Sequence, residues 1–93
     1  MASLAKNQNA RAEPARSTGR ILLVDDEPSL IEAVGYMLRR EGYTVTIATT
    51  GPAALEAARE VDPELVVLDV MLPGMDGLQV YSDLRAESTV PIL

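Results

Sequence analysis

Residues 21–28 read Ile-Leu-Leu-Val-Asp-Asp-Glu-Pro, and residues 65–69 read Leu-Val-Val-Leu-Asp. Each stretch is a short run of apolar residues that ends in one or more carboxylates. Such runs are typical of strands that are buried on both faces of a parallel sheet. Sheets of this kind bind their ligands at the carboxyl ends of the strands. The two runs therefore predict one acidic pocket that contains Asp25, Asp26 and Asp69.

A helical pattern follows the first run. Pro28 suits the first helical position, where its missing N–H is not needed, and Gly42 suits the position just after the helix. The apolar residues that recur at helical spacing between them are Leu30, Ile31, Val34, Met37 and Leu38. This segment predicts an amphipathic helix.

The rest of the chain continues to alternate between strand and helix. Residues 43–47 alternate apolar with Thr, which predicts an edge strand with one solvated face. A second helix is expected from Pro52 to Val61, a third over residues 78–85, and a fourth strand over residues 90–93. With right-handed crossovers, this order predicts an α/β fold with a doubly wound parallel sheet whose strand order begins 2-1-3-4.

Composition limits the class of protein. The chain has 93 residues, a net charge of -6, 47% hydrophobic residues, and neither Cys nor His. An acidic domain is a poor ligand for nucleic acid, so we expect no DNA contact through this chain. No apolar stretch reaches the roughly 20 residues that span a bilayer, so we expect no membrane contact, and the absence of Cys fits the reducing cytoplasm.

The basic residues are concentrated at the beginning of the chain. Residues 1–19 contain Lys6, Arg11 and Arg16 among small and polar residues without a sustained apolar period. We expect these residues to form a flexible tail, and we expect residues 20–93 to form one domain.

Clustered carboxylates call for a cation. Mg²⁺ prefers oxygen ligands and octahedral geometry, and Mn²⁺ accepts the same ligands. In one interpretation, Asp25 and Asp26 hold the cation while Asp69 attacks a phosphoryl group. In the alternative interpretation, Asp25, Asp26 and Glu27 only cap the following helix, and Asp69 only begins a turn.

The two motifs together decide between these interpretations. Residues 21–27 and residues 68–77, which read Leu-Asp-Val-Met-Leu-Pro-Gly-Met-Asp-Gly, strongly resemble the receiver domain of two-component response regulators. The resemblance implies a flavodoxin-like fold and implies that Asp69 is the phosphoacceptor. It also implies that Asp26 and Asp69 bind Mg²⁺ directly, that Asp25 binds it directly or through water, and that Met71 adds its backbone carbonyl. The implied phosphate donor is a phosphohistidine on a sensor histidine kinase.

The sequence departs from the family pattern after residue 93. Family receivers continue with a Ser or Thr at the end of the fourth strand, further helices, and a fifth strand that ends in Lys. We therefore expect an incomplete receiver, an N-terminal fragment with impaired phosphorylation.

Two other functions are compatible with the same residues. One is a binding-only remnant that occupies a kinase or another response regulator without accepting phosphate. The other is a Mg²⁺-dependent phosphohydrolase, but such enzymes commonly carry a second Asp where this chain has Met71. We expect a signalling module and not an enzyme.

Overall fold

The computed structural model describes residues 19–69 and 76–93. Three parallel strands form one sheet in the order β2-β1-β3, and helices follow the strands in strict alternation. The first half of the chain contains β1 (Arg20–Val24), α1 (Pro28–Arg40) and β2 (Thr44–Ala48). The second half contains α2 (Gly51–Val61), β3 (Leu65–Leu68) and α3 (Gly77–Glu87). The α/β fold and the 2-1-3 strand order predicted from the sequence are confirmed.

Local signals define the helix ends. α1 begins at Pro28, and Gly42 follows its C-cap with φ of +99°, a conformation that glycine adopts without steric cost. Thr50 caps α2 by accepting the N–H of Ala53, and Asp76 caps α3 by accepting the N–H of Leu78. Each cap satisfies a backbone donor that the helix itself leaves without a partner.

The main core lies between the sheet and two of the helices. Leu22 and Val24 of β1 and Val66 of β3 are fully buried on the face that α2 and α3 cover. Ala54 of α2 and Val80 of α3 close this core and are also fully buried. Because side chains alternate across a strand, Ile21 and Leu23 point to the opposite face, where α1 lies.

The apolar stripe of α1 is only partly covered. Ile31, Val34 and Leu38 are half-buried, whereas Leu30 and Met37 are 48% and 61% exposed. Val67 on the α1 side of β3 is also only half-buried. The helical period therefore identified an amphipathic helix, but part of its apolar stripe faces solvent in the described residues.

The predicted solvated face of the edge strand is wrong. β2 is the edge strand, as expected, but α1 packs on one of its faces and α2 on the other. Thr46 is half-buried on the α2 side, beside Leu22, while Ile47 on the α1 side is 36% exposed. The alternation of apolar residues with Thr shows which residues share a face of the strand. Which face is covered depends on where the helices pack.

The predicted fourth strand is present only as a single parallel bridge between Val66 and Ile92. Backbone bonds from Val66 N–H to Pro91 O and from Leu93 N–H to Val66 O hold it beside β3. The position agrees with the predicted order 2-1-3-4. The predicted tail falls mostly outside the described residues.

Side-chain hydrogen bonds hold the amino-terminal end of the sheet in place. The guanidinium of Arg20 donates to the carbonyls of Val61 and Asp62 at the C-terminal end of α2. The carboxylate of Glu64 accepts the backbone N–H groups of Gly19 and Arg20. These contacts fix the beginning of β1 to the α2–β3 connection.

Candidate functional site

The three predicted acids meet at the carboxyl ends of β1 and β3. The backbone N–H of Asp25 donates to Ala48 O at 3.1 Å, and that of Asp69 donates to Val24 O at 2.9 Å. Both bonds continue the parallel ladders by one residue beyond the strands. Because the backbone of each acid is held to a neighbouring strand, both side chains lie at the carboxyl end of the sheet.

The carboxylates form one cluster. Asp25, Asp26 and Asp69 each offer an oxygen atom, and these atoms all lie within 4.8 Å of one another. Two unit charges at this separation repel by about 3 kcal/mol at an effective dielectric constant near 20. The sequence placed all three acids in one pocket, and the structure brings them together.

Burial differs within the cluster. Asp25 is only 6% exposed, Asp69 is half-buried, and Asp26 is exposed. One carboxylate oxygen of Asp25 accepts the backbone N–H of Glu27 at 3.0 Å, which fixes the orientation of this buried side chain. The cluster is therefore open to solvent on the side of Asp26 and Asp69.

The alternative capping role belongs to one residue of the acidic run. Glu27 is the N-cap of α1, and its carboxylate accepts the N–H of Leu30 and the hydroxyl of Ser29. The bond from Ser29, and next that from Leu30, lower the pKa of Glu27 because they stabilise the charged form. Sequence reasoning did not separate Glu27 from Asp25 and Asp26, since any acid before a helix can cap it.

Sequence reasoning also did not predict that β2 supports the site. Ala48 O holds the backbone of Asp25, so the carboxyl end of the edge strand supports the site although it contributes no acidic side chain. The parallel register between Val24 and Ala48 is the signal, and it becomes visible only once the strand pairing is known.

The donor set fits a small hard cation. Three carboxylate oxygens that lie within 4.8 Å of one another, one of them on an exposed side chain, could hold Mg²⁺ together with water molecules. A divalent cation would also offset the repulsion among the carboxylates. Met71, the fourth predicted ligand, lies outside the described residues.

A sequence profile described as the response regulator receiver domain matches residues 21–93. The chain belongs to this family. Receiver domains of this family are signalling modules of two-component systems. The predicted flavodoxin-like receiver fold is therefore confirmed, and the prediction of phosphorelay signalling is supported.

One similar protein is the DNA-binding response regulator MtrA of Mycolicibacterium smegmatis. The two are 53% identical over 74 residues, which is 80% of this chain and 32% of MtrA. The receiver thus spans about a third of the length of the curated relatives that it matches.

Solved structures share the fold. The response regulator TrrA from Thermotoga maritima, in complex with Mg²⁺-BeF, is 38% identical with a TM-score of 0.72, over 76% of this chain and 62% of TrrA. A crystal structure of TrrA with the histidine kinase ThkA matches at 37% identity with a TM-score of 0.73, over 81% of this receiver and 66% of the matched chain.

The described helices do not include a membrane span. In residues 19–69 and 76–93, no helix combines the length and the apolar character that crossing a bilayer requires.

Proposed function

We propose that this receiver accepts a phosphoryl group on Asp69 from a sensor histidine kinase in a Mg²⁺-dependent reaction. The observation that carries the proposal is the cluster of Asp25, Asp26 and Asp69, whose oxygens lie within 4.8 Å of one another at the carboxyl ends of β1 and β3. Family membership supports the same assignment.

Burial separates Asp25 from the other two acids of the cluster. Half-buried Asp69 is accessible to an incoming phosphoryl group, whereas Asp25 is buried and held by the N–H of Glu27. We assign the attacking oxygen to Asp69, and not to the more exposed Asp26, because membership of the receiver family implies that Asp69 is the phosphoacceptor. Asp25 and Asp26, together with a second oxygen of Asp69 and the carbonyl of Met71, would hold the cation. Mg²⁺ or Mn²⁺, when bound, neutralises negative charge on the transferring group.

The transfer step balances without a further reactant. A carboxylate oxygen of Asp69 attacks phosphorus and forms the P–O bond of an aspartyl phosphate. The P–N bond of the phosphohistidine breaks, and its electron pair stays on the imidazole, which is protonated as it leaves. The absence of His from these 93 residues is consistent with a donor on a separate protein.

The chemistry of the donor and a structural relative support the choice of partner. TrrA was crystallised with the histidine kinase ThkA, and TrrA shares the fold of this chain. A sensor histidine kinase is thus the proposed partner, and a second response regulator is a further one. We place the protein in the cytoplasm, where such kinases present their phosphohistidine. We also propose that these residues do not contact nucleic acid, because the described body is strongly acidic.

The test is labelling of the full chain with a small acyl phosphate, followed by intact mass measurement. We expect one phosphoryl adduct that requires Mg²⁺ and is absent from Asp69→Asn. Asp83→Asn is the matched control, because Asp83 lies on α3 and is not a member of the acidic cluster. An adduct on Asp69→Asn, or one that forms equally in chelator, would refute the proposal.

Two further assays distinguish the alternatives. A phosphohydrolase would release phosphate continuously from a monoester and lose this activity in Asp69→Asn. A binding-only remnant would be retained by a histidine kinase without acquiring phosphate, and Asp69→Ala would bind as well as the unchanged chain.

A further inference from the structure

A groove lies between α1 and the edge strand β2, apart from the acidic cluster. It has a volume of about 460 Å³ and is lined by Ile31, Glu32, Tyr36, Arg39, Arg40 and Ile47. We call it the α1–β2 groove. None of its lining residues belongs to the acidic cluster.

The base of the groove is apolar. Ile31 is half-buried, Ile47 is 36% exposed, and Tyr36, which also lines the groove, is 62% exposed. An apolar side chain of a partner can be buried against an aromatic and aliphatic surface of this kind.

The charge of the groove is opposite to that of the molecule. The described residues contain five arginines, and three of them already bind acceptors within the fold. Arg20 donates to Val61 O and Asp62 O, Arg59 pairs with Glu87, and Arg85 donates to Ser88 O and Val90 O. The two remaining arginines, Arg39 and Arg40, both line the groove.

These two guanidiniums are available for an anion. In the described part of the chain, neither Arg39 nor Arg40 forms an ion pair, and Arg40 donates one hydrogen bond, to the hydroxyl of Tyr36 at 3.3 Å. Both lie in the last turn of α1, where the helix dipole favours cations. Arg39 and Arg40 thus place two positive charges without ion pairs beside an apolar groove, although the net charge of the chain is -6.

The backbone beside the groove is also available. β2 pairs with β1 on one side only among the described strands, so its outer edge retains backbone donors and acceptors. An exposed strand edge can add an extended peptide as a further strand.

We propose that the α1–β2 groove binds an extended, acidic segment of a partner protein alongside β2. An apolar side chain of the segment would pack on Ile47 and Tyr36, and its carboxylates would pair with Arg39 and Arg40. Glu32 lies about 10 Å along the helix from Arg39 and sets the orientation, because it repels acids at its own end of the groove.

Two other occupants fit less well. A second copy of the chain, joined through a two-fold axis, would place Arg39 and Arg40 of both copies at the same interface, where like charges repel. An anionic membrane attracts clusters of several basic residues, and two arginines beside a concave groove do not form such a polybasic surface.

The experiment uses the full chain and two fluorescent peptides of about eight residues, a usual strand length. In the first peptide Glu alternates with Val, and in the second Lys replaces Glu. Fluorescence anisotropy should detect binding of the acidic peptide but not of the basic one. The double variant Arg39→Gln/Arg40→Gln should bind the acidic peptide about tenfold more weakly, as expected for the loss of two exposed ion pairs.

Arg59→Gln is the matched control, since Arg59 is an exposed arginine on a different helix. It should bind the acidic peptide as the unchanged chain does, and so should Asp69→Asn. Equal binding of both peptides, no binding of the acidic peptide, or an equal loss in Arg59→Gln would each overturn the proposal. It would also fail if only anionic vesicles bind, or if self-association, measured by sedimentation, is what Arg39→Gln/Arg40→Gln abolishes.

Discussion

The N–H of Asp69 donates to the carbonyl of Val24 at 2.9 Å, so the proposed phosphoacceptor is held to the residue that directly precedes Asp25. The acids of the two motifs are therefore fixed relative to each other by the backbone, although more than forty positions separate them in the sequence. Only the orientations of the side chains remain to be set by local contacts.

Replacement of Asp26 should change stability with opposite signs in the absence and presence of metal. Without metal, Asp26→Asn should raise the free energy of unfolding by up to about 1 kcal/mol, because it removes repulsion that solvent screens only in part. With Mg²⁺, the unchanged chain should gain stability as the concentration rises, and Asp26→Asn should gain much less. Thermal unfolding with and without Mg²⁺ measures both effects.

Asp83→Asn is the control for this prediction, because it removes the same charge from α3 outside the cluster. It should respond to Mg²⁺ as the unchanged chain does. An equal response to Mg²⁺ in all three proteins would show that the cation does not bind at the cluster.

Truncation of a buried leucine and of an exposed leucine should have very different effects on stability. Leu22→Ala should lower the free energy of unfolding by about 3 kcal/mol, because Leu22 is fully buried in the core between the sheet and α2. Leu30→Ala should cost less than about 1 kcal/mol, because Leu30 on α1 is 48% exposed. Urea denaturation of both variants measures the difference, and equal losses would contradict the described exposure of α1.

The cap of α1 should make stability depend on acid pH. The pKa of Glu27 is lowered from its ordinary value of 4.5, chiefly by the Ser29 hydroxyl and then by the N–H of Leu30. A lowered pKa in the folded state contributes stability above the unfolded pKa, and this contribution is lost as the pH falls below 4.5 through the folded pKa. Glu27→Gln should therefore reduce stability at neutral pH and flatten this part of the pH profile.

Ser29→Ala separates the two causes of this effect. It removes the hydroxyl but leaves the N–H of Leu30, so the acid dependence should weaken without disappearing. A pH profile that Glu27→Gln leaves unchanged would show that another carboxylate is responsible.

A bidentate ion pair links the last turns of α2 and α3. Arg59 donates to both oxygens of Glu87, at 3.0 and 2.7 Å, which lowers the pKa of Glu87 and raises that of Arg59. The coupling between the two residues should be present at neutral pH and should vanish as the pH falls through the lowered pKa of Glu87. A double-mutant cycle with Arg59→Gln and Glu87→Gln at neutral and acid pH measures it.

High salt provides a second check on the same pair. Both side chains are largely exposed, so added salt should reduce the coupling at neutral pH. A coupling that neither acid nor salt alters would mean that packing, and not charge, joins the two helices here.

Local sequence signals predicted much of the fold. Pro28 and Gly42 marked the two ends of α1, and residues 65–68 formed the third strand with the predicted limits. These signals work because helix ends and buried strands depend on nearby residues. The exposure of Met37 and the covering of Thr46 depend on which helix packs where, and periodicity alone does not contain that information.

The site shows the same division. Asp25, Asp26 and Asp69 were predictable, because acids at the ends of adjacent parallel strands must lie close together. The hydrogen bond that orients Asp25 was not, since it depends on the side-chain rotamer and on the backbone of Glu27. The α1–β2 groove was not predicted either, because Ile47 and Arg40 come from different elements that only the fold brings together.

The backbone hydrogen bonds of Asp25 and Asp69, which extend the ladders beyond β1 and β3, also allow opening of the site to be followed by hydrogen exchange. The amide hydrogens of Asp25 and Asp69 exchange with deuterated solvent only when the ends of the strands separate. Their exchange rates therefore report local opening at the acidic cluster, residue by residue, in the unmodified protein.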